Sequence, residues 1–336
     1  MRTAPCGIRH GTTPRRGFGR LVAGIGMGSS VRPAPAQESL AGGRALRLIV
    51  AFPPGSTTDT AARFYAERLG RLLPQAVVVE NRPGGNGFIG VGALLAAPTD
   101  GSAVLVGSTS TLATNVALFR AMPYDPLKDL APLTLMVGSP PVLVVASGSP
   151  HRSLGDLLAA ARSSPGRLNY GSGAASYQLM AERMNQLARV STTNVPYRSA
   201  PEAVTAVLSR QVDFTFAEVA SAAGAIQDGA LRALALVADE RLRMLPELPT
   251  AAEVGLPGLN TVTWVGAAVS AKVPPAVQAQ LAEMFCRVAE DPETRSFFTQ
   301  RGGILLPSGP EAMRRFQVEN IDLWRSVAAA AGIEPQ

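Results

Sequence analysis

The stretch LRLIVAFPPGSTTDTAARFYAERLGRLL, residues 46–73, decides the fold of this chain. It opens with a continuous apolar run over residues 46–52, which is typical of a strand buried on both of its faces. A loop rich in proline, glycine and hydroxyl side chains follows, and residues 59–73 then repeat apolar side chains at helical spacing, among them Tyr65 and Leu69. Strand, loop and helix in this order predict one unit of a parallel α/β sheet.

The same unit recurs along the chain. Strand-like runs at 76–80 and 103–108 enclose a helix-like run at 90–97, and a second series of strand-to-loop transitions occupies the middle of the sequence. The run WVGAAVS, residues 264–270, indicates a return to the first series. The alternation predicts an α/β fold of two lobes, each a mostly parallel sheet flanked by helices, with two interlobe crossings. We expect lobe 1 to comprise residues 44–145 and 268–336, and lobe 2 residues 146–267.

The excess positive charge of the chain is confined to its N-terminal segment. The formal net charge is +6, but residues 1–36 hold six arginines and no Asp or Glu, and the remainder has 25 basic and 25 acidic residues. The pair Arg15-Arg16, a weakly apolar run at 21–31 and the small residues up to Ala36 predict an export signal cleaved after about Ala36. The arginine pair is compatible with the twin-arginine or the general export route. We therefore expect neither a nucleic-acid partner nor, from the later sequence, a membrane span.

Cysteine and histidine usage excludes several chemistries. After cleavage the chain would retain one cysteine, Cys286, and one histidine, His151. A single cysteine cannot form an intrachain disulfide, and a single histidine cannot build a His-rich metal site. The sequence has no G-x-S-x-G motif, and His151 lies far from the serine-rich loops. We therefore expect no catalytic residues, no metal and no cofactor.

Residues 85–90, GNGFIG, match the glycine spacing G-x-G-x-x-G of dinucleotide-binding turns. Such a turn has its first glycine directly after the strand and an acid about 20 residues further on, at the end of the next strand. Here Asn81-Arg82-Pro83 intervene, and the next strand ends in Gly107-Ser108. We therefore expect no binding of NAD or NADP. The glycines and Asn86 either support a ligand loop or form a tight turn packed against a helix.

Several stretches resemble one family of receptors. They are IVAFPPGSTTDTAAR, VVVENRPGGNGFIG, APTDGSAVLVGSTS, MPYDPLKDLAPLT and VPYRSAPEAVTAVLSRQVDFTF. In their order and spacing, from about Arg47 to the C-terminus, the chain resembles the Bug family, the periplasmic solute-binding receptors of tripartite tricarboxylate transporters. The resemblance implies a type II-like, two-lobed periplasmic binding protein that closes on a small carboxylate. It also implies membrane components of a transporter that take over the ligand.

The residues themselves favour the same chemistry. Loops after parallel strands expose backbone N–H groups at helix N-termini, where a carboxylate can bind without a lysine or arginine. Asp59 and Ser176 are each also suited to cap a helix, and Arg198 either reaches a distal carboxylate or is a solvated surface residue. The candidate ligand-binding residues are Phe52, Pro54, Gly55, Ser56, Thr57, Thr58, Asp59, Ser108, Thr109, Ser110, Ser172, Ala174, Ala175, Ser176, Arg198 and Ala217.

The sequence departs from the family pattern at a few positions. Ser56 replaces a second glycine, and Leu112 and Gln178 stand where the family often has histidine. The acid that the family pattern places directly after VDFTF is Ala217 here, and Glu218 follows one residue later. Because a shift of one residue in a strand points a side chain to the opposite face, we expect Glu218 to face away from the ligand. An amino acid ligand then lacks a carboxylate partner for its ammonium group.

The predicted function is that of a periplasmic, monomeric receptor for a small organic carboxylate, without enzymatic activity. An exported α/β enzyme, such as a hydrolase or isomerase, is the first alternative, although it would need a positioned base or nucleophile. A periplasmic partner that presents its ligand to a sensor protein is the second alternative, and it would share the receptor fold.

Overall fold

The computed structural model describes residues 43–306 and 309–335. The predicted export segment, with its cleavage point after Ala36, lies outside the described residues. In the described part of the chain, no helix combines the length and the apolar character that a membrane crossing requires.

Strands and helices alternate in the order that the sequence indicates. The strands are β1 (Leu46–Val50), β2 (Val77–Asn81), β3 (Ala103–Ser108), β4 (Leu130–Ser139), β5 (Pro141–Ala146), β6 (Asn169–Ser172), β7 (Thr193–Pro196), β8 (Phe214–Glu218), β9 (Leu231–Leu236) and β10 (Thr263–Ser270). The helices are α1 (Thr57–Leu72), α2 (Phe88–Leu95), α3 (Asn115–Leu118), α4 (Leu154–Ser163), α5 (Ala175–Ala188), α6 (Ala200–Leu208), α7 (Val219–Gln227), α8 (Pro275–Glu290), α9 (Pro292–Thr299) and α10 (Pro310–Ala330).

The strands form two sheets, one for each lobe. Their orders are β2-β1-β3-β10-β4 and β7-β6-β8-β5-β9. In the first sheet β1 is parallel to β2 and β3, whereas β10 is antiparallel to β3 and β4. The second sheet repeats this pattern, with β5 as its antiparallel strand. Each sheet is therefore mostly parallel, as predicted, with a single reversed strand that adjoins an interlobe crossing.

Sheet membership corrects the predicted lobe boundaries. β5 belongs to the second sheet, so the first crossing lies between Ser139 and Pro141. β10 belongs wholly to the first sheet, so the return crossing precedes Thr263. The predicted boundaries at 145/146 and 267/268 fall inside these two strands. Both strands are mostly apolar, and residue type alone does not show to which sheet each belongs.

Both faces of each sheet are covered by helices, because successive side chains of a strand point to opposite faces. Leu48 packs in the cluster that contains α1 and α8, whereas Ile49 packs with α2 and α10. In the second sheet Phe216 packs with α4 and α5, whereas Ala217 packs with α6 and α7. This layering leaves the loops at the strand ends as the surfaces that face the other lobe.

The last helix connects the two lobes. Met313, near the start of α10, is buried in a cluster of lobe 1, whereas Trp324 and Val327, near its end, are buried among side chains of lobe 2. The side-chain amide of Gln186 on α5 donates a hydrogen bond of 2.6 Å to the carbonyl of Val327. The C-terminal helix therefore holds the lobes together on one side of the cleft between them.

The glycine-rich turn before α2 serves packing. Asn86 and Gly87 have φ values of 52° and 89°, in the left-handed region that favours glycine. A Cβ on Gly87 would lie 2.3 Å from the Thr111 side chain, and a Cβ on Gly90 would lie 2.7 Å from Cα of Ala51. The turn therefore fits tightly against the end of β1, which agrees with the packing interpretation of the motif.

Gly90 and Gly92 provide a matched test, because both lie in α2. Alanine at Gly90 has to displace the backbone of Ala51, so we expect Gly90→Ala to lower the free energy of unfolding by about 1–3 kcal/mol. A Cβ on Gly92 would meet nothing within 4 Å. Gly92→Ala should therefore be neutral or raise the free energy of unfolding by up to about 1 kcal/mol, through helix propensity. Urea denaturation measures both, and equal effects of the two substitutions would contradict the packing role of Gly90.

Candidate functional site

A deep pocket lies between the lobes, where the strands end and helices begin. Helices α1, α5, α6 and α7 all start at its wall. Lobe 1 contributes Phe52, Gly55, Ser56, Thr57, Thr58, Ser108, Thr109, Ser110 and Thr263. Lobe 2 contributes Gly173, Ala174, Ser176, Tyr177, Ser199, Ala200, Pro201, Glu218 and Ser221. Most of the residues predicted to bind ligand are thus brought together from distant parts of the sequence.

The loop before α1 is held in shape by Asp59. Ser56 caps the helix, since its hydroxyl accepts a hydrogen bond of 3.2 Å from the amide of Asp59. The carboxylate of Asp59 accepts hydrogen bonds from the Gly55 amide (3.0 Å), the Arg63 guanidinium (2.9 Å) and the Asn81 side chain (2.9 Å). Burial alone would raise the pKa of Asp59, but these donors outweigh it and hold that pKa below its usual value.

Asp59 was predicted to bind ligand, and the structure places it behind the loop instead. It is 3% exposed and is not part of the pocket wall. Its carboxylate takes the amide of Gly55, a glycine with φ of 83°, and thereby leaves Thr57 and Thr58 at the pocket. Their N–H groups belong to the first turn of α1, where backbone N–H groups have no hydrogen-bond acceptor within the helix. Asp59 is not the N-cap that the sequence offered as its alternative role, since Ser56 occupies that position; it lies in the first turn of α1 and stabilises the preceding loop.

The second hydroxyl-rich loop of lobe 1 follows β3. The Thr109 hydroxyl accepts a hydrogen bond of 2.7 Å from the backbone amide of Trp264 and donates one of 3.1 Å to its carbonyl. This pair fixes the loop to β10, and the Trp264 side chain is buried in the core against α10. Ser110 begins a π-helical turn, Ser110–Thr114, and its hydroxyl meets lobe 2 across the cleft, 3.4 Å from the amide of Ser176. The two lobes therefore already touch at this point.

Two helices of lobe 2 begin at the pocket without a side-chain cap. The N-terminal residue flanking α5 is Ala174, and the one flanking α7 is Glu218, and neither side chain bonds to its helix. Neither helix has an acid in its first turn. The positive end of each helix dipole therefore points into the cleft. In α5 the Ser176 amide donates to the Ser110 hydroxyl and the Tyr177 amide to the Ala174 carbonyl, which leaves the other first-turn N–H groups to donate to a ligand.

Ala217 was predicted to contact ligand, and the structure places it away from the pocket wall. Ala217 is fully buried in the cluster between the sheet and helices α6 and α7. Glu218, expected to point away, lines the pocket instead. The one-residue alternation was correctly applied, but the pocket lies on the opposite face of β8, the face that carries Phe214 and Phe216.

Glu218 is the one charged side chain on the pocket wall, and no Lys, Arg or His of the described residues lines it. The carboxyl is part-buried. Burial raises the pKa of Glu218 above its usual value, and the hydroxyl of Tyr177 opposes this effect because it stabilises the ionised form. Tyr177 itself is buried, and burial raises the pKa of its phenol well above the ordinary value. The pocket thus combines helix N-termini, hydroxyl groups and a single acid.

An outer cleft of about 900 Å³ continues from the deep pocket toward solvent. Phe52, Ser110, Gly173 and Ala174 line both spaces. Of the other predicted residues, Ala175 and Arg198 line the outer cleft, whereas Pro54 is exposed and lines neither space.

Ser172 also lies outside both spaces. Its hydroxyl donates a hydrogen bond of 2.7 Å to the Asn194 side chain, and it lines a smaller adjoining cavity. Its contact with ligand stays a prediction. Because Arg198 is exposed beside Glu202, its own contact with ligand also stays a prediction.

Sequence reasoning missed several residues of the pocket wall. They are Tyr177, Ser199, Ala200, Pro201, Glu218, Ser221 and Thr263. Tyr177 follows the predicted loop by one residue, and Ser199 is an N-cap before a proline, Pro201, so their positions beside helix starts were a usable signal. Thr263 gave no such signal, because it comes from the strand that returns from lobe 2.

Comparison with known proteins identifies the family. The model of the TctC family, described as tripartite tricarboxylate transporter family receptor, matches residues 61–332. The chain is 29% identical over 314 residues to Protein BugT of Bordetella pertussis, which covers 93% of this chain and 96% of BugT.

Two solved structures are similar over nearly their whole length. One is R. palustris Rpa4515 with adipate, with a TM-score of 0.83 and 29% identity, covering 87% of this chain and 99% of that chain. The other is MatC (Rpa3494) from Rhodopseudomonas palustris with bound malate, with a TM-score of 0.79 and 27% identity, covering 85% of this chain and 99% of that chain. The sequence, the two-lobed fold and the cleft agree, and the chain belongs to the TctC family of tripartite tricarboxylate transporter receptors, among the Bug proteins.

Proposed function

We propose that this protein is an extracytoplasmic solute-binding receptor that closes on a small organic carboxylate. The observation that carries the proposal is the deep pocket, at which helices α1, α5, α6 and α7 begin although no basic side chain of the described residues lines it. Hydrogen bonds to a charged group contribute about 1.5–3 kcal/mol each, and micromolar affinity corresponds to about −8 kcal/mol, so a few backbone donors suffice.

The two connected spaces favour a ligand with two acidic groups. The deep pocket has a free volume of about 50 Å³, enough for a carboxylate and its neighbouring atoms. The outer cleft is far larger and has Arg198 on its wall. We infer that one carboxylate occupies the deep pocket and a second, distal one faces Arg198. The similar structures with adipate and with malate support this class of ligand.

We further infer that the receptor binds its ligand without turnover and acts outside the cytoplasm. The predicted export signal and the family support both inferences. His151, the histidine of the described residues, lies before α4 and outside the walls of both spaces, so it is not placed as a base for the serine hydroxyls. The membrane components of a tripartite transporter are the proposed partner, and a sensor protein is the alternative.

The first test blocks the anion site with a carboxylate of the protein itself. Ala174→Asp would place an acid at the uncapped start of α5, where it accepts the N–H groups that the ligand needs. An N-cap stabilises a helix by about 0.5–2 kcal/mol, so the variant should stay folded. We expect its affinity for malate and adipate, measured by calorimetric titration, to fall more than about tenfold, the equivalent of 1.4 kcal/mol.

A matched control adds the same charge elsewhere. Pro274→Asp would cap α8, which also begins without a side-chain cap and lies away from the cleft. This variant should bind like the parent. Ala174→Asn has nearly the size of the aspartate variant without its charge and should lose less affinity. If Ala174→Asp retains the parent affinity, the α5 N-terminus does not hold the ligand.

The second test concerns the loop that Asp59 holds. Asp59→Asn keeps the size of the side chain but removes the charge that pairs with Arg63, so we expect the free energy of unfolding to fall by about 1–3 kcal/mol. Ligand affinity should fall severalfold although this side chain is outside the pocket, because Thr57 and Thr58 lose their fixed positions. Asp156→Asn is the control, since Asp156 fills the equivalent capping position of α4.

The pH dependence of stability follows from the lowered pKa of Asp59. Its contribution is complete above the unfolded-state pKa of about 3.9 and is lost as the pH falls through the lower folded-state value. The stability difference between the parent and Asp59→Asn should therefore shrink in acid, which urea titrations at pH 3 to 7 would measure. An unchanged ligand affinity in a destabilised Asp59→Asn protein would refute the role of the loop.

The third test concerns the distal carboxylate. Arg198→Ala should weaken binding of adipate and malate by about two- to tenfold, since exposed ion pairs contribute little, and should leave a monocarboxylate such as propionate unaffected. The loss for diacids should also diminish as salt is added. Arg152→Ala removes the same charge from an exposed position on lobe 2. An equal loss for mono- and dicarboxylates would show that Arg198 does not contact a distal group.

A further inference from the structure

An acid lies in a pocket that is proposed to receive acids. Glu218 is the one charged residue of its wall, and it forms no ion pair with any described residue. Two carboxylates that share a desolvated space repel each other, and one of them normally gains a proton or a cationic partner. The position of Glu218 therefore restricts which carboxylates can bind beside it.

The groups around Glu218 are hydroxyls from several elements. The Ser221 hydroxyl of α7 donates to the backbone carbonyl of Glu218, and the Thr263 hydroxyl of β10 donates to the carbonyl of Ser139. The Ser108 hydroxyl of β3 is buried and has no hydrogen-bond partner among the described residues, whereas the Tyr177 hydroxyl of α5 is directed at Glu218. Both of these line the same pocket.

An unpartnered buried hydroxyl is costly, and the presence of Ser108 on the pocket wall indicates a polar ligand at this point. Tyr177 faces the carboxyl of Glu218. The pocket can therefore offer donors to a ligand carboxylate, from the helix N-termini and the Ser108 hydroxyl, and an acceptor beside them, from Glu218. This pocket is much smaller than the outer cleft, so the part of a ligand beside Glu218 is its carboxylate and the atoms next to it.

We propose that Glu218 determines the specificity of the deep pocket by accepting a hydrogen bond from a hydroxyl or ammonium group on the carbon beside the bound carboxylate. This inference rests on the proposed receptor function and narrows its substrate class to 2-hydroxy and 2-amino acids. A hydrogen-bonded acceptor discriminates strongly against an analogue that lacks the donor, because the buried carboxylate is then left unpaired. A plain diacid would instead have to bind with Glu218 protonated.

Two matched sets of ligands test the proposal by calorimetric titration at pH 7. The first set is succinate, malate and aspartate, and the second is propionate, lactate and alanine. Within each set the molecules differ only in whether the carbon beside a carboxylate bears hydrogen, hydroxyl or ammonium. We expect the parent protein to bind at least one donor-bearing member of a set more than about tenfold tighter than the plain acid.

Two substitutions distinguish the sources of the hydrogen bond. Glu218→Met has a side chain of similar size but no acceptor. It should reduce the preference for donor-bearing acids over the plain acid to less than about threefold. Glu218→Gln retains an acceptor but no charge, so it should preserve a preference for the hydroxy acid and abolish one for the amino acid. Glu240→Gln removes an acid from an exposed position of lobe 2 and should leave all affinities unchanged.

The variants should fold. The folded-state pKa of Glu218 is raised, so as the pH rises from the unfolded-state value through the folded-state value the ionised carboxyl reduces stability. Glu218→Gln should consequently be at least as stable as the parent at pH 7 in urea titrations.

Three results would overturn the inference. Equal affinity of the parent for the plain, hydroxy and amino acids would show that the protein does not recognise a donor beside the carboxylate. Persistence of the parent's preference in Glu218→Met would show that a group other than Glu218 recognises the donor. If no carboxylate of either set binds, the proposed receptor function fails together with this inference, whereas the first two results overturn the inference alone.

Discussion

A carboxylate in the deep pocket can be held only by backbone N–H groups and hydroxyls, because no basic side chain of the described residues lines that space. The rest of the architecture follows from this constraint. Backbone donors become available where helices begin, and helices begin after parallel strands at one edge of a sheet. Two mostly parallel sheets with their loop edges opposed therefore bring four helix starts, those of α1, α5, α6 and α7, to a single point.

Such donors act only when the loops that present them keep their shape. On lobe 1 the Asp59 carboxylate accepts a hydrogen bond from the Gly55 amide of its own loop, and the Thr109 hydroxyl fixes the neighbouring loop to the backbone of Trp264. On lobe 2 a Cβ on Gly173 would lie 2.2 Å from the backbone of Ser199, so the loops before α5 and α6 support each other by direct contact. The side chains that matter most for these loops are thus set behind the surface that the ligand meets.

The deep pocket and the outer cleft lie between the same two lobes but differ in size and charge. Helix α10 is buried against side chains of both lobes, so it restrains their separation on its side of the cleft. Ser110 and Ser176 meet where the deep pocket passes into the outer cleft. The deep pocket is small and chemically defined by Glu218 and its hydroxyl neighbours, whereas the outer cleft is wide and carries an exposed arginine. The shape of the deep pocket and the charge of the outer cleft would select different features of one ligand.

The sequence by itself determined the alternation of strands and helices, the two lobes and the loops that form the cleft, because local periodicity and glycine placement are properties of neighbouring residues. It also placed Asp59 at the start of α1, although Ser56 and not Asp59 is the N-cap. Only the tertiary structure decided where the chain passes from one sheet to the other and which face of β8 lines the pocket. Glu218 was therefore assigned to the wrong side, and Thr263 was overlooked. A residue's face relative to a site depends on the lobe packed opposite it, and no pattern within a single strand contains that information.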